Sequence, residues 1–267
     1  MSQRDEYPPG VPCWIDTLQP DPDAARNFYG GIFEWAFDGP GPMPDEGRYY
    51  VARLGGRDAA GIGSQPKKPA SRMHSWNTYV SVESADDTAE KARRAGGTVI
   101  AEAFDALPAG RMAVLADPTG AAFSVWEPDE RKGSQVINEP SAWAMSTLNT
   151  AEPERAAAFY AATFGWTTET FGEGEGAFTL FRLPGYVGGE PRQPVSREVV
   201  AAMGPATDDV PAHWSVDFWV HDVDSTASRA TQLGGDIVVP PFATPGGKTT
   251  VLADPHGISF SVSNVPG

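Results

Sequence analysis

One segment of this chain occurs twice, and its recurrence constrains the fold more than any other feature of the sequence. Residues 116–128 read ADPTGAAFSVWEP, and residues 253–265 read ADPHGISFSVSNV. Two further pairs keep the same order: FYGGIFEW at 28–35 with FYAATFGW at 159–166, and AGG at 95–97 with LGG at 233–235. Because the members of each pair are separated by nearly the same length of chain, the sequence predicts a tandem duplication.

Each half divides again into two similar units. In the first unit, WIDTLQ is typical of a strand, PDAARNFYGGIF of an amphipathic helix and RYYVARL of another strand. Asp21 is expected to cap that helix, with Pro22 at the first helical position. The second unit repeats the plan with NTYVSV, the helix SADDTAEKARRAG and further strands. The predicted order is strand–helix–strand–strand–strand, four times in succession.

The length of the chain fits two domains. A chain of 267 residues can form two domains of ordinary size, each expected to have its own core. The polar stretch EPDERKGSQ, which begins at Glu127, is typical of a connection between them. We therefore predict an N-terminal domain over residues 1–130, a linker over residues 131–141 and a C-terminal domain over residues 142–267.

Composition and charge exclude several classes of function. The formal net charge is −15, from 20 Lys+Arg against 35 Asp+Glu, so a nucleic-acid partner is not expected. Apolar runs are too short for a membrane span, and the first residues lack the pattern of a signal peptide, which predicts a cytoplasmic protein without a membrane partner. Cys13 is the only cysteine, which excludes an intramolecular disulfide and a multi-cysteine metal cluster.

The motifs, taken together, carry a family resemblance. FY-x-x-x-F-x-W after the first helix of each half, and DP-x-G before the last strand, are similar to the vicinal oxygen chelate superfamily over nearly all of residues 10–264. Glyoxalases, extradiol dioxygenases, fosfomycin-resistance enzymes and bleomycin-binding proteins belong to it. The resemblance implies an α+β fold of tandem duplicated domains, each with two βαβββ modules and cupped mixed β-sheets. A monomer is then sufficient, because the covalent repeat supplies the pairing of modules, and a homodimer is compatible with it.

The resemblance implies metal ligands that this sequence lacks. Metal-dependent members carry His or Gln on the first strand of a module and Glu on the last. The matching first-strand positions hold Trp14, Asn77, Ala144 (or Met145, given a one-residue slip) and Ser215. The last-strand positions hold Ser124 and Ser261, and the segments around AGIG and VGGE offer only Glu190. The histidines, His74, His213, His221 and His256, fall before strands, at a strand end or in a turn. Indole, hydroxyl and amide groups are poor replacements for imidazole and carboxylate, so we predict no metal and no cofactor.

Strand alternation predicts what faces each cup instead. In the first half the inward residues are Trp14, Asp16, Asn77, Tyr79, Ser81, Ser124 and Trp126. In the second half they are Ser146, Ser215, Asp217, Trp219, His221, Ser261 and Ser263. Aromatic rings mixed with small polar groups are typical of a small-molecule pocket, although the indoles also suit the filling of a cavity. The inward aspartates fit a structural hydrogen bond, an anchor for a ligand or a general base.

Three hypotheses of function follow, beside the remaining one of a metal-dependent lyase or dioxygenase. The first is a metal-free protein that sequesters or carries an aromatic antibiotic or polyketide-like molecule, bound by Trp14, Asp16, Asn77, Tyr79, Ser124, Trp126, Ser215, Asp217, Trp219 and Ser261. The second is a cofactor-independent tailoring enzyme (isomerase, cyclase or hydroxylase) with Asp16 or Asp217 as base and Tyr79 or His221 nearby. The third is an interaction protein whose cups are filled. Stacking on aromatic side chains favours the first two equally.

Overall fold

The computed structural model describes residues 4–43, 46–66, 75–172, 178–188, 198–206, 210–244 and 247–264. The first unit consists of β1 (Pro12–Gln19), α1 (Pro22–Phe33), β2 (Ala36–Pro42), β3 (Arg48–Leu54) and β4 (Arg57–Ser64). The second consists of β5 (Trp76–Ser81), α2 (Ala85–Arg94), β6 (Thr98–Ala106), β7 (Gly110–Ala116) and β8 (Ala122–Pro128). The predicted order of strand, helix and three strands thus occurs twice in the first half.

The second half repeats the same order. The third unit consists of β9 (Trp143–Thr150), α3 (Pro153–Phe164), β10 (Thr167–Phe171), β11 (Phe178–Arg182) and β12 (Val199–Pro205). The fourth consists of β13 (His213–Trp219), α4 (Val223–Gln232), β14 (Asp236–Thr244), β15 (Gly247–Ala253) and β16 (Ser259–Asn264). The last strand of the third unit is β12 and does not lie around VGGE as predicted. Glu190 and His74 lie outside the described residues.

The strands form two mixed sheets of eight. The order is β2-β3-β4-β1-β5-β8-β7-β6 in the first sheet and β10-β11-β12-β9-β13-β16-β15-β14 in the second. In the first sheet, β1 pairs in parallel with β4 and antiparallel with β5, so two units join along their first strands. The same pairings join the third and fourth units. The predicted α+β fold of tandem duplicated domains with cupped mixed sheets is confirmed.

Local sequence signals set the helix ends. The side chain of Asp21 accepts hydrogen bonds from the backbone N–H groups of Asp23 and Ala24, and Pro22 is the first helical residue. This is the cap that the sequence predicted, and it satisfies donors that the helix itself leaves free. Helix α2 ends before Gly96, whose φ of 88° lies in the left-handed region. None of the helices in the described part of the chain is long and apolar enough to span a bilayer.

The two hydrophobic cores do not follow the division into halves. One is formed mainly by buried residues of the first and fourth units, and the other mainly by those of the second and third. Phe33 of α1 packs on Phe218 of β13, with ring centroids 4.7 Å apart, and Phe159 of α3 packs on Phe123 of β8 at 6.0 Å. The expectation that each half has its own core is therefore wrong, because α1 and α3 lie against strands of their own sheet and also pack on aromatic residues of the other sheet.

The two recurring motifs meet across the halves. The hydroxyl of Tyr29 in the first FY motif donates to Asp254 in the second DP-x-G turn, at 3.0 Å. In the equivalent contact with the halves interchanged, the hydroxyl of Tyr160 donates to Asp117 at 3.1 Å. All four residues are buried. The repeated DP-x-G turn therefore accepts a hydrogen bond from a tyrosine of the opposite half and also leads the chain into a strand.

The connection between the sheets packs on the first of them. The first sheet ends with Pro128 and the second begins with Trp143. In between, Ser134 donates from its hydroxyl to the carbonyl of Ala59 at 2.9 Å, and Arg57 pairs with Glu139 at 2.9 Å. The connection is held against β4 by these contacts. The exact bounds of the linker stay a prediction.

Candidate functional site

Each sheet has one face that packs on helices and one that faces away from them, and we call the latter faces the first cup and the second cup. Strand register places the predicted residues of the first half together: Trp14 is opposite Tyr79, Asp16 is opposite Asn77, and Tyr79 lies beside Ser124. Trp126 lies two residues beyond Ser124 on the same face. All six residues predicted to bind a ligand in the first half share one cup.

In the first cup the carboxylate of Asp16 is surrounded by donors. The hydroxyl of Tyr79 donates to it at 2.7 Å and that of Tyr49 at 3.0 Å, while the amide of Asn77 lies 3.4 Å away. Only 2% of Asp16 is exposed. Burial raises the pKa of this carboxyl to about 6, against the lowering effect of the two hydroxyls and the amide. Asp16 is thus engaged with its neighbours and inaccessible to a ligand.

Aromatic side chains close the first cup over this cluster. Trp14 donates from Nε1 to the Tyr49 hydroxyl at 2.9 Å, which fixes the Tyr49 ring over β4. A Cβ atom at Gly61 would lie 1.9 Å from the Tyr49 hydroxyl, so the ring fits only because this position is glycine. A Cβ atom at Gly110 would likewise meet the Trp126 ring at 2.7 Å. The first cup is filled by its own side chains, the outcome that the sequence analysis had allowed for its indoles.

The second cup differs because smaller or less enclosing side chains occupy the matching positions. The equivalent pairs given by strand register, with the first cup named first, are Trp14 and Met145, Asp16 and Thr147, Asn77 and Ser215, Tyr79 and Asp217, Ser81 and Trp219, Ser124 and Ser261, Trp126 and Ser263, and Gly61 and Ala202. Asp217 is therefore the counterpart of Tyr79, whereas Asp16 has Thr147 as its counterpart. The methyl group of Ala202 stands where Gly61 leaves room for a ring.

Asp217 is the central polar residue of the second cup. It is only partly buried, and the hydroxyl of Ser263 donates to its Oδ2 at 2.5 Å. Desolvation raises the pKa of this carboxyl to about 7, although the Ser263 hydrogen bond acts to lower it. Ser215 lies nearby on the same strand face and accepts a hydrogen bond from the Asn149 amide at 3.0 Å. A carboxyl group that titrates near neutrality and remains accessible can accept a hydrogen bond or a proton from a ligand.

Aromatic side chains flank the second cup without filling it. Trp219 lies two residues from Asp217 on the same face of β13 and is partly exposed. On β11, Phe178 lies on the same face as Leu180, which pairs with Ala202 of the cup. The Phe178 ring stacks on Phe171 with centroids 5.4 Å apart and an interplanar angle of 19°, and 44% and 37% of these residues are exposed. Exposed stacked rings beside a polar floor provide a surface for a planar molecule.

Two residues predicted to face the second cup lie elsewhere. Ser146 is fully buried on the helix-packed side, where its hydroxyl lies 2.7 Å from that of Thr78 in the first sheet. Strand pairing places Met145 opposite Asp217 as it places Trp14 opposite Tyr79, so Met145 and not Ala144 is the counterpart of Trp14. His221 is exposed beyond the end of β13, in the turn before α4. Both predictions of inward placement are therefore wrong.

The donor chemistry of both cups does not fit a divalent metal. The positions that carry ligands in metal-dependent relatives hold Trp14, Asn77 and Ser124 in the first cup and Met145, Ser215 and Ser261 in the second. Among the described residues, no three His, Cys, Asp or Glu side chains come together as a metal-binding group. A catalytic divalent ion requires imidazole or carboxylate ligands, so neither cup matches the needs of such an ion.

Several residues of the cups were missed by the sequence analysis. Tyr49 and the stacked Phe171 and Phe178 lie on middle or edge strands, whereas the predicted residues come from first and last strands only. The aromatic pattern RYYVARL did contain Tyr49. Only the hydrogen bond from its hydroxyl shows that its ring turns toward Asp16.

Two curled sheets of paired βαβββ units, each with a cup on the face away from the helices, define a vicinal oxygen chelate fold. A family model described as a glyoxalase-like domain matches residues 14–126 and again residues 145–263. The chain belongs to this glyoxalase-like family. The two matches repeat the duplication read from the sequence, one in each half.

Relatives and solved structures resemble the chain over nearly its whole length. CFP32 of Mycobacterium tuberculosis, whose name assigns it provisionally to the glyoxylases, is 36% identical over 265 residues, covering 98% of this chain and 97% of the relative. The anthracycline biosynthesis protein DauV of a Streptomyces species is 34% identical over 271 residues, covering 96% and 94%. The Mn(II)-bound glyoxalase of Novosphingobium aromaticivorans has a TM-score of 0.62 at 15% identity, covering 99% of this chain and 83% of that one. This last likeness concerns the fold alone.

Proposed function

We propose that the protein binds a planar aromatic molecule of the polyketide type in the second cup, without a metal. The observation that carries the proposal is Asp217, a partly exposed residue on the same face of β13 as Trp219, with the stacked Phe171 and Phe178 on the same face of the sheet. Flat rings would stack on these side chains, and a hydroxyl on the ring system would donate to the carboxylate. The first cup offers no comparable space, since Tyr49 and Trp126 fill it.

The name of one relative supports this ligand class. DauV is named for anthracycline biosynthesis, and anthracyclines are planar aromatic polyketides. A protein that shares a third of its residues with DauV over nearly the whole chain is expected to bind a ligand of related shape. The stacking surface and the acidic side chain of Asp217 in the second cup agree with that expectation.

Calorimetry with two planar probes tests the proposal. Dihydroxyanthraquinone supplies hydroxyl donors, and unsubstituted anthraquinone supplies only the ring system. We expect the hydroxylated probe to bind more tightly, and Asp217→Asn to weaken its binding by about tenfold, since a hydrogen bond to a charged group contributes roughly 1.5–3 kcal/mol. Asp16→Asn is the matched control in the closed cup and is expected to leave binding unchanged. Equal effects of the two substitutions would place the ligand elsewhere.

The raised pKa of Asp217 favours a second candidate, a cofactor-independent tailoring enzyme in which Asp217 is the base. A carboxylate whose conjugate acid has a pKa of about 7 is well matched to removing a proton from an activated phenol or an acidic C–H at neutral pH. Deuterium uptake by a bound hydroxyquinone, followed by mass spectrometry in heavy water, separates the candidates. Exchange that depends on Asp217 supports the enzyme, whereas tight binding without exchange or conversion supports sequestration.

A further inference from the structure

A partly open cavity lies beside the second cup and shares two residues with it. The cavity has a volume of about 140 Å³, and its walls include Met145 and Trp219 from the cup, together with Arg4, Tyr7, Trp143 and Tyr186. Met145 stands directly opposite Asp217 in the pairing of β9 with β13. The cavity therefore begins one strand away from the central carboxyl of the cup. A void of about 150 Å³ is large enough to hold a benzene ring.

One wall of this cavity contains a buried donor without an acceptor. Trp143 is only 5% exposed, and its Nε1–H has no hydrogen-bond partner. The other buried indoles do have acceptors: Trp76 donates to Tyr29 and Trp214 to Tyr160. A buried N–H without a partner costs free energy, which an acceptor placed in the cavity would recover.

The same cavity holds a positive charge fixed between two aromatic rings. The Arg4 guanidinium donates to the Tyr186 hydroxyl at 3.0 Å and lies 5.9 Å from the centroids of both the Tyr7 and Tyr186 rings. Its backbone N–H donates to the carbonyl of Gln135 at 3.1 Å, which ties the N-terminal segment to the connection between the sheets. Because the Tyr186 hydroxyl accepts from Arg4, its own hydrogen remains available to an acceptor in the cavity.

We infer that this cavity is a subsite for an arenecarboxylate group, with Arg4 and Trp143 as its donors. A cation, an indole N–H and a phenol hydroxyl match the oxygens of a carboxylate, and the aromatic walls match the ring that carries it. The inference deepens the proposed function and rests on it in one respect: it assigns the ligand of the second cup to planar aromatic acids. The ring system would lie along Trp219, with its carboxylate reaching Arg4 and a hydroxyl reaching Asp217.

Benzoate, which carries the arenecarboxylate alone, is the first probe. The protein has eight tryptophans, and the indole signal that Trp143→Phe removes from a nitrogen–proton correlation spectrum belongs to Trp143. Benzoate is expected to move this signal saturably, and the neutral analogue benzamide is expected to bind at least about tenfold more weakly. Arg4→Gln should weaken benzoate binding by about the same factor, while Arg4→Lys should retain part of it. The thermal midpoints of both Arg4 variants show whether they keep the fold.

Two outcomes would overturn the subsite. One is an unmoved Trp143 signal in the folded wild-type protein at saturating benzoate, and the other is equal affinity of benzoate for the wild type and a folded Arg4→Gln variant. A second pair of probes, anthraquinone carboxylate and its carboxamide, separates this inference from the proposed function. If neither binds while benzoate behaves as expected, the proposed function fails and the subsite stands. If both bind equally through Asp217 and are indifferent to Arg4, the function stands and the subsite fails.

Discussion

The hydroxyl of Tyr29 donates a hydrogen bond of 3.0 Å to the carboxylate of Asp254, although 225 residues separate them in the chain. The Tyr29 oxygen in turn accepts from Trp76 Nε1 at 3.1 Å. Tyr160, Asp117 and Trp214 form the same chain of bonds on the other side of the molecule. These paired contacts join the halves through their most recognisable motifs.

Removing one of these hydroxyls should destabilise the protein without changing either cup. Tyr29→Phe leaves Trp76 without an acceptor and removes one donor from the buried Asp254, so we expect a loss of about 2–3 kcal/mol in the free energy of unfolding. Tyr50→Phe is the control, because it removes a hydroxyl that donates to Asp23, whose side chain is 43% exposed. Urea denaturation measures both. A loss as small in Tyr29→Phe as in the control would mean that the contact between the halves contributes little.

The purified protein should contain no stoichiometric divalent metal. The ligand positions hold hydroxyl, amide, indole and thioether groups, which bind such ions poorly. Elemental analysis is expected to find far less than one Zn, Ni, Mn or Fe per chain, and a chelator is expected to leave the thermal midpoint and probe binding unchanged. About one metal ion per chain, lost together with binding on chelation, would restore a lyase or dioxygenase interpretation.

The buried carboxyl of Asp16 should make stability depend on pH. Its pKa is raised from 3.8 to about 6, so the folded state holds this proton more tightly than the unfolded state does. Its contribution to stability is therefore greatest below about pH 4 and is lost as the pH rises to about 6. Asp16→Asn removes this dependence. We expect the free energy of unfolding of the variant to increase relative to that of the wild type between these pH values. The increase is at most roughly 3 kcal/mol, because each pH unit corresponds to about 1.4 kcal/mol.

Urea titrations at several pH values measure this difference. Asp23→Asn is the comparison, because hydrogen bonding to Tyr50 and the nearby Arg48 lower the pKa of Asp23 and reverse the direction of the effect. A pH-independent difference between the wild type and Asp16→Asn would show that Asp16 has an ordinary pKa.

Binding of a hydroxylated planar probe should depend on the ionisation of Asp217. The carboxylate accepts a hydrogen bond more strongly than the neutral acid, so affinity should rise as the pH increases through about 7. Ser263→Ala removes the hydrogen bond that lowers this pKa and should move the midpoint to higher pH. Calorimetry between pH 5.5 and 8.5 on a probe whose hydroxyls do not titrate there checks both. An unchanged midpoint in a folded Ser263→Ala variant would assign the titration to another group.

A single methyl group should decide whether the first cup can close. In Gly61→Ala the new Cβ would overlap the Tyr49 hydroxyl, which the present structure would place 1.9 Å away. The ring must then leave Asp16, at a cost of about 1–3 kcal/mol. Ala202→Gly, at the equivalent position of the second cup, is the control and should cost less, since removal of a methyl group creates no overlap. Thermal denaturation compares them, and a stable Gly61→Ala variant would show that Tyr49 is not held in place.

Sequence patterns predicted the fold well because they depend on local rules. Alternation along β1, β5 and β8 placed Trp14, Asp16 and Tyr79 in one cup correctly, since these residues lie in regularly paired stretches of their strands. The prediction failed for Ser146, because alternation counted from Ala144 gives the wrong parity, whereas Met145 is the residue opposite Asp217. Alternation within one strand does not tell which of two adjacent residues faces the cup.

The difference between the two cups could not be predicted from the sequence. Both were predicted to contain a tryptophan and an aspartate, and Asp16 and Asp217 therefore looked equivalent. Their register shows that they are not, and the closure of the first cup depends on Tyr49 meeting Gly61 from a neighbouring strand. Likewise, an amphipathic helix reveals that it packs on a sheet but not that it also contacts a second one, so the sharing of each core between the halves was not predicted.

Because each core is shared between the halves, the second cup cannot be isolated by expressing the C-terminal half alone. A fragment over residues 142–267 would keep every wall of the cup that comes from β9 to β16, yet Phe218 and Phe260 would lose the cover of α1 and face water. It would also lose Arg4 and Tyr7. The chain can be cut between Pro128 and Trp143 without severing a strand, so two separately translated fragments should recognise each other through these uncovered aromatic surfaces. Folding then requires contact between the two halves but not a covalent connection between them.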